Sequence, residues 1–147
     1  MNQISTSNRY ARLLFLLAFI VCMILYSPVI EAQQKMYWTD NGTDKIQRAD
    51  LDGSSVEDLI TTGLFATFGF ALDLTNRKMY WADVGKIQRA DFDGQNVEDL
   101  ITGLIGLFAI VLDPTDRKIY FTGTDKIQRA DLDGGNVEDL VTGLIGR

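Results

Sequence analysis

Residues Lys78 to Gly103 read KMYWADVGKIQRADFDGQNVEDLITG, and the same text returns as KMYWTDNGTDKIQRADLDGSSVEDLITTG from Lys35 and as KIYFTGTDKIQRADLDGGNVEDL from Lys118. The hexapeptide KIQRAD opens at Lys45, Lys86 and Lys126, a period of 41 and then 40 residues. A fixed period in this range marks a solenoid or a propeller, in which each repeat buries its faces only against its neighbours. Within one copy the apolar residues alternate: Met79, Trp81 and Asp83 point one way, Tyr80 and Ala82 the other. Period two means strands, and the Asp-Gly pairs between alternating runs mean hairpins. The second copy supplies a strand at the aromatic pair, another at KIQRAD, a third over Val97 to Thr102, and after Gly103 a run centred on Phe108 to Leu112. Four short antiparallel strands per repeat is the content of one propeller blade. Helical repeats need ten or more residues at a 3.6 period, and no segment after Lys35 offers them without a Gly or an Asp-Gly turn.

Tyr37-Trp38-Thr39-Asp40 followed by the KIQRAD stretch and Asp-Gly resembles the YWTD repeat, also called the LDL-receptor class B repeat. The second copy carries Tyr80-Trp81-Ala82-Asp83; the third has Tyr120-Phe121-Thr122 and then Gly123, without the Asp. The resemblance covers residues 35 to 147. It implies an all-β fold, a six-bladed β-propeller module with the motif on strand two of each blade, found in extracellular receptors and matrix proteins that bind other proteins. Repeats at about 35–74, 78–114 and 118–147 supply eleven strands, so the expected fold is a partial β-propeller of about three four-stranded blades, half of such a ring. A second copy of the chain, or further repeats, would complete it.

The first 32 residues stand apart. Arg9 and Arg12 precede an apolar run from Leu13 to Tyr26, followed by Ser27-Pro28 and a small residue at Ala32. This is the layout of a signal-peptide helix, with cleavage expected after Ala32; an uncleaved signal anchor is the alternative, since Ile30 is bulky for its position, and is the one way the chain would meet a membrane. The chain is then secreted or extracellular, or periplasmic or cell-surface in a bacterium. Its single cysteine, Cys22, lies in the apolar run, so the repeat region from residue 33 must be held by packing rather than disulfides. The net charge of −6, with Lys and Arg scattered, argues against nucleic acid as a partner.

The aromatic positions 38, 81 and 121 suit a wedge between neighbouring blades. Asp40 and Asp83 fall on the face of the Trp, where a buried carboxylate needs a cation; Arg48 and Arg89 on the adjacent strand are the expected partners. Arg129 has no such Asp, which leaves the third blade less well satisfied unless Asp125 substitutes. The strand-one entry, reduced to Thr67-Phe68-Gly69 and Leu107-Phe108-Ala109, departs from the Pro-x-Gly of the family.

Asp-x-Asp-Gly at Asp50, Asp91 and Asp131 resembles the start of a calcium loop, but the twelfth position from Asp50 is Thr61 rather than Glu and the flanks are strands. A hairpin turn is the expected role, and no metal or other cofactor is expected. Asn41-Gly42-Thr43 is a glycosylation sequon and equally a turn sequence. Catalysis has little support: the chain has no His, and no Ser sits in a nucleophile elbow. Carboxylates that recur at equivalent positions serve a scaffold better than a site.

In a four-stranded blade the connections between strands two and three and between strands four and one leave on one face. There the copies differ most: Asn41, Gly42, Thr43 and Asp44 in the first, Val84-Gly85 in the second, Gly123, Thr124 and Asp125 in the third, and Phe65-Ala66 against Ile105-Gly106. The expected function is therefore an exported, non-catalytic protein-binding module that meets its partner through this face at Asn41, Thr43, Asp44, Phe65, Val84, Ile105, Thr124 and Asp125. The alternative is a small-molecule or sugar site, with metal-dependent hydrolysis, formed at the centre of an assembled ring.

Overall fold

The computed structural model describes residues 34–144, so the expected signal segment lies outside the described residues. The described chain is all-β, with three antiparallel sheets in succession. The first holds β1 (Lys35–Asp40), β2 (Lys45–Asp50) and β3 (Glu57–Ile60) in that order. The second holds β4 (Phe70–Asp73), β5 (Lys78–Asp83), β6 (Lys86–Asp91) and β7 (Glu98–Thr102). The third repeats it with β8 (Ile110–Asp113), β9 (Lys118–Thr122), β10 (Lys126–Asp131) and β11 (Glu138–Thr142). Within each sheet the strands pair in sequence order, as a blade requires, and the described first sheet consists of strands two to four.

Register is the same in each copy. Tyr37 faces Arg48, Tyr80 faces Arg89 and Tyr120 faces Arg129, while Trp38, Trp81 and Phe121 face Gln47, Gln88 and Gln128. A bulge falls between the Ile and the Gln of KIQRAD in all three sheets, at Ile46/Gln47, Ile87/Gln88 and Ile127/Gln128. Such a bulge strengthens strand twist, and its repetition gives the sheets a common shape to stack.

The core lies between sheets. Ile46, Ile60 and Leu64 of the first sheet and its following connection pack against Met79, Trp81, Ala90 and Phe92 of the second. On its other face, the second sheet sets Tyr80, Ala82, Ile87 and Ile101 against Leu107, Ile110, Ile119, Phe121 and Leu132 of the third. Trp81 and Phe121 are both fully buried. Their alternation with Tyr80 and Tyr120 along a strand lets one blade fill two seams.

Each letter of KIQRAD has its own task. In the first two copies the Ile enters a seam. Gln88 accepts a hydrogen bond from Trp81 Nε1 at 3.0 Å and donates through Nε2 to Asp99 at 2.6 Å, which satisfies a buried amide. Gln47 repeats this between Trp38 and Asp58. The Lys pairs with the same strand-four Asp: Lys45 with Asp58, Lys86 with Asp99, Lys126 with Asp139. The Ala is fully buried in all three copies. The final Asp binds the first Lys of its own repeat, Asp50 to Lys35 at 2.6 Å, Asp91 to Lys78, and Asp131 to Lys118 at 2.5 Å.

The Arg reaches furthest. Arg48, Arg89 and Arg129 pair with Glu57, Glu98 and Glu138 at 2.7 Å, not with the motif aspartates. The expected Asp–Arg pairing is overturned by strand geometry. Because Arg89 stands directly across from Tyr80, it lies on the face opposite Trp81 and Asp83. From there Arg48 Nη1 donates to the carbonyl of Phe92 and Arg89 Nη1 to that of Leu132, each at 3.2 Å, in the turn of the following blade.

Truncating a filled seam should be severe. Phe121→Ala is expected to cost about 3–5 kcal/mol in a urea titration, the range for a buried aromatic, whereas Val97→Ala, at an exposed turn position, should cost under about 0.5 kcal/mol.

Candidate functional site

The strand two-to-three loops and the strand four-to-one connections are tied together. Val84 N donates to Phe65 O at 3.3 Å and Leu104 N to Gly85 O at 2.9 Å; one blade further on, Thr124 N donates to Ile105 O at 3.3 Å and Leu144 N to Asp125 O at 2.8 Å. Thr67 Oγ1 donates to Asn41 Oδ1 at 3.3 Å, joining the first loop to the next connection. The structure thus brings Phe65 beside Val84, Ile105 beside Thr124, and Asn41 beside Thr67. Thr43 bonds within its own turn, to Asp40, and Asp44 lies in the left-handed region at φ 52°.

The motif aspartates build these loops. Asp83, almost fully buried, accepts hydrogen bonds on Oδ1 from Phe65 N at 2.9 Å and Val84 N at 2.7 Å. It therefore locks a connection to a loop through backbone donors rather than through a cation. Asp40 works within its loop, accepting from Gly42 N at 2.8 Å and from Thr43 N and Oγ1. The Thr43 hydroxyl, then the Gly42 amide, hold its carboxyl below the ordinary aspartate range. Asn41 and Thr43 of the sequon are both exposed.

The third blade solves the lost Asp differently from expectation. Thr124, not the Asp125 side chain, meets the preceding connection, through its amide and, at 3.5 Å, its hydroxyl on Ile105 O. Gly106 is matched to this: at φ +63°, a Cβ there would stand 1.9 Å from Thr124 Oγ1. In the second blade, where Val84 replaces Thr124, Ala66 occupies the equivalent position.

The strand-one entries pair with strand two ahead of β4 and β8. Phe68 N donates to Ala82 O and Ala82 N to Gly69 O, while Phe108 and Ala109 do the same with Thr122. The rings of Phe68 and Phe108 lie 5.9 Å apart, tilted by 56°, and both are exposed. Neither was expected as a contact residue. The signal was present in the sequence, since Phe holds this place in both connections although their neighbours change.

Large apolar side chains are exposed here: Phe65 at 70%, Val84 at 63% and Ile105 at 82%. A cleft of about 620 Å³ lies between Leu104, Ile105, Thr124, Asp125 and Lys126. The Asp-Gly end differs in chemistry. Asp73 Oδ1 accepts from Thr75 and Asn76 amides, Asp113 Oδ1 from those of Thr115 and Asp116, and the turn at Asp50 closes on itself through Gly53 N to Asp50 O. Asp52 is occupied by the Ser54 amide and hydroxyl. Those turn carboxylates are spent on lysines and local amides.

Residues 34–73 match the family model of the low-density lipoprotein receptor repeat class B. Over 52 residues the chain is 38% identical to nidogen of Drosophila melanogaster, covering 35% of this chain and 4% of that protein. Over 35 residues it is 57% identical to low-density lipoprotein receptor-related protein 4 of Homo sapiens, covering 24% of this chain and 2% of that protein. Among solved structures, a crystal structure of a nidogen/laminin complex superposes with a TM-score of 0.72 at 32% identity, over 77% of this chain and 46% of that one. The chain therefore spans a few per cent of these protein relatives and just under half of the structural one.

Two outcomes test the loop chemistry. Asp83→Ala should raise hydrogen exchange at the Phe65 and Val84 amides at least about tenfold, since each loses a charged acceptor worth about 1.5–3 kcal/mol. For pH, Asp50, Asp91 and Asp131 are held below the ordinary aspartate range, first by their lysine partners. A depressed carboxylate contributes stability that is complete above the unfolded value and is lost as pH falls through the folded one. With no His in the chain, unfolding midpoints should stay level from about pH 5 to 8 and drop below about pH 4.

Proposed function

We propose that this chain, whose residues 34–73 match the low-density lipoprotein receptor repeat class B and whose sheets superpose on a chain of the nidogen/laminin complex, is an exported, non-catalytic protein-binding module. Its contact surface is the face that carries the strand two-to-three loops and the strand four-to-one connections. The observation that carries this reading is the exposure of Phe65, Val84 and Ile105, with the Phe68–Phe108 pair beside them, on the face where the copies differ. Exposed aromatic and aliphatic side chains on a hydrogen-bonded frame are what a partner protein can bury with little ordering cost. The structural relative comes from a nidogen/laminin complex, which supports a protein as the partner. Export is supported by Arg9, Arg12 and the apolar run after them, and a glycan at Asn41 would stand on the edge of the same face. A small-molecule or hydrolytic site is less favoured, because the recurring turn carboxylates are engaged by lysines and turn amides.

Selection of the exported chain against a displayed library of secreted protein domains tests this. Binders should lose at least about tenfold in affinity for Phe65→Ser and Ile105→Ser while Val97→Ser, on the Asp-Gly turns, leaves them unchanged. Binders indifferent to the loop substitutions, or dependent on added divalent metal, would count against the proposal.

A further inference from the structure

The two seams inside the chain repeat one set of contacts, and the two outward faces hold the two halves of a third set. In each seam, the residue after KIQRAD fits against the Tyr and Arg of the preceding blade. Phe92 meets Tyr37, ring centroids 5.4 Å apart, and its carbonyl accepts from Arg48. Leu132 meets Tyr80 in the same way, its carbonyl accepting from Tyr80 Oη at 3.4 Å and from Arg89. Phe92 and Leu132 are 3% exposed, but their counterpart Leu51 is 68% exposed. The turn glycines tell the same story. A Cβ on Gly94 would stand 2.3 Å from Leu59 O and one on Gly134 2.4 Å from Leu100 O, so each turn lies against the strand-four backbone of the blade before it. Gly53, with the same turn and φ +84°, has nothing within 4 Å.

At the other end of the chain stand the matching parts. Arg129 keeps its Glu138 pair, yet no turn carbonyl accepts from it among the described residues. Ile127 is only half-buried, although Ile46 and Ile87 at its position are fully buried. Val141 is exposed where Ile60 and Ile101 are buried. Val111 is exposed too, next to Tyr120 in register.

We infer that the outward face of the third blade takes the outward face of the first blade of a second copy of this chain. Leu51 and Gly53 of one copy would seat against Tyr120, Arg129 and Leu140 of the other, and Trp38 would become buried as Trp81 is. The occupant is argued from complementarity already realised twice within the chain: the same KIQRAD arginine, the same turn and the same aromatic wedge. The seam rests on strands two to four and the Asp-Gly turn, since the described first sheet consists of those strands. A contact between unlike faces makes a closed ring when its rotation divides the circle. The chain superposes on 46% of the chain from the nidogen/laminin complex, just under half of it, so two copies with two identical seams would make up one such ring. This stands apart from the partner-binding reading, which uses the loop face rather than the blade faces.

Light scattering on the full chain, recovered after export and separated by size, gives the absolute mass. The expected result is two chains. Leu51→Asp and Val111→Asp, on opposite faces and both exposed in one copy, should each reduce it to one chain with an unchanged far-ultraviolet circular dichroism spectrum. A folded wild-type chain of one-chain mass, a mass above two chains, or a two-chain mass that survives both substitutions would overturn the inference.

Discussion

A blade of this protein is too thin to have an inside, so every buried apolar residue depends on the sheet next door. The seam between sheets is the constraint from which the rest follows. It is built from a strand-two aromatic that fills the gap, Trp81 in one seam and Phe121 in the other. It is fastened by an arginine that leaves its own sheet to meet a turn carbonyl of the next. The first supplies area removed from water, and the second supplies register, because the carbonyl can be met from one position alone. Repetition of KIQRAD is the sequence record of that fastening.

What the seams consume, function cannot use. The Asp of KIQRAD is held by a lysine, the Gln by an indole and a carboxylate, the Arg by a glutamate and a carbonyl. Freedom remains in the loops, where backbone bonds between a connection and its neighbouring loop keep the frame while side chains change. Val84 with Ala66, and Thr124 with Gly106, are two solutions to one contact. Such a division lets a repeat scaffold vary its surface with little effect on its core.

Strand periodicity made the architecture legible from the residues. Alternation around Tyr80 and Trp81, a period of 40 or 41 and Asp-Gly turns led to eleven strands in stacked sheets, and the structure has these. The meeting of the strand two-to-three loops with the strand four-to-one connections was legible to a lesser degree, from blade geometry alone. The partner of the motif aspartate was not. Asp83 and Arg89 stand on adjacent strands, and charge alone suggested a pair; the register that sets Arg89 across from Tyr80 sends them to opposite faces. Backbone amides, which take up Asp83 instead, carry no letter in a sequence. Phe68 and Phe108 were missed because strand-one entry was read as a backbone motif, whereas it also presents two rings to solvent.

Mutual dependence of the blades is tested most directly by unfolding in urea followed with two probes on one sample. Tryptophan fluorescence reports Trp38 and Trp81, in the first two blades, and far-ultraviolet circular dichroism reports all three sheets. If each blade is stable only against its neighbour, both signals should move together through one transition with one midpoint. Sheet signal that persists after the fluorescence change is complete would mean that a blade stands alone, and would contradict the account.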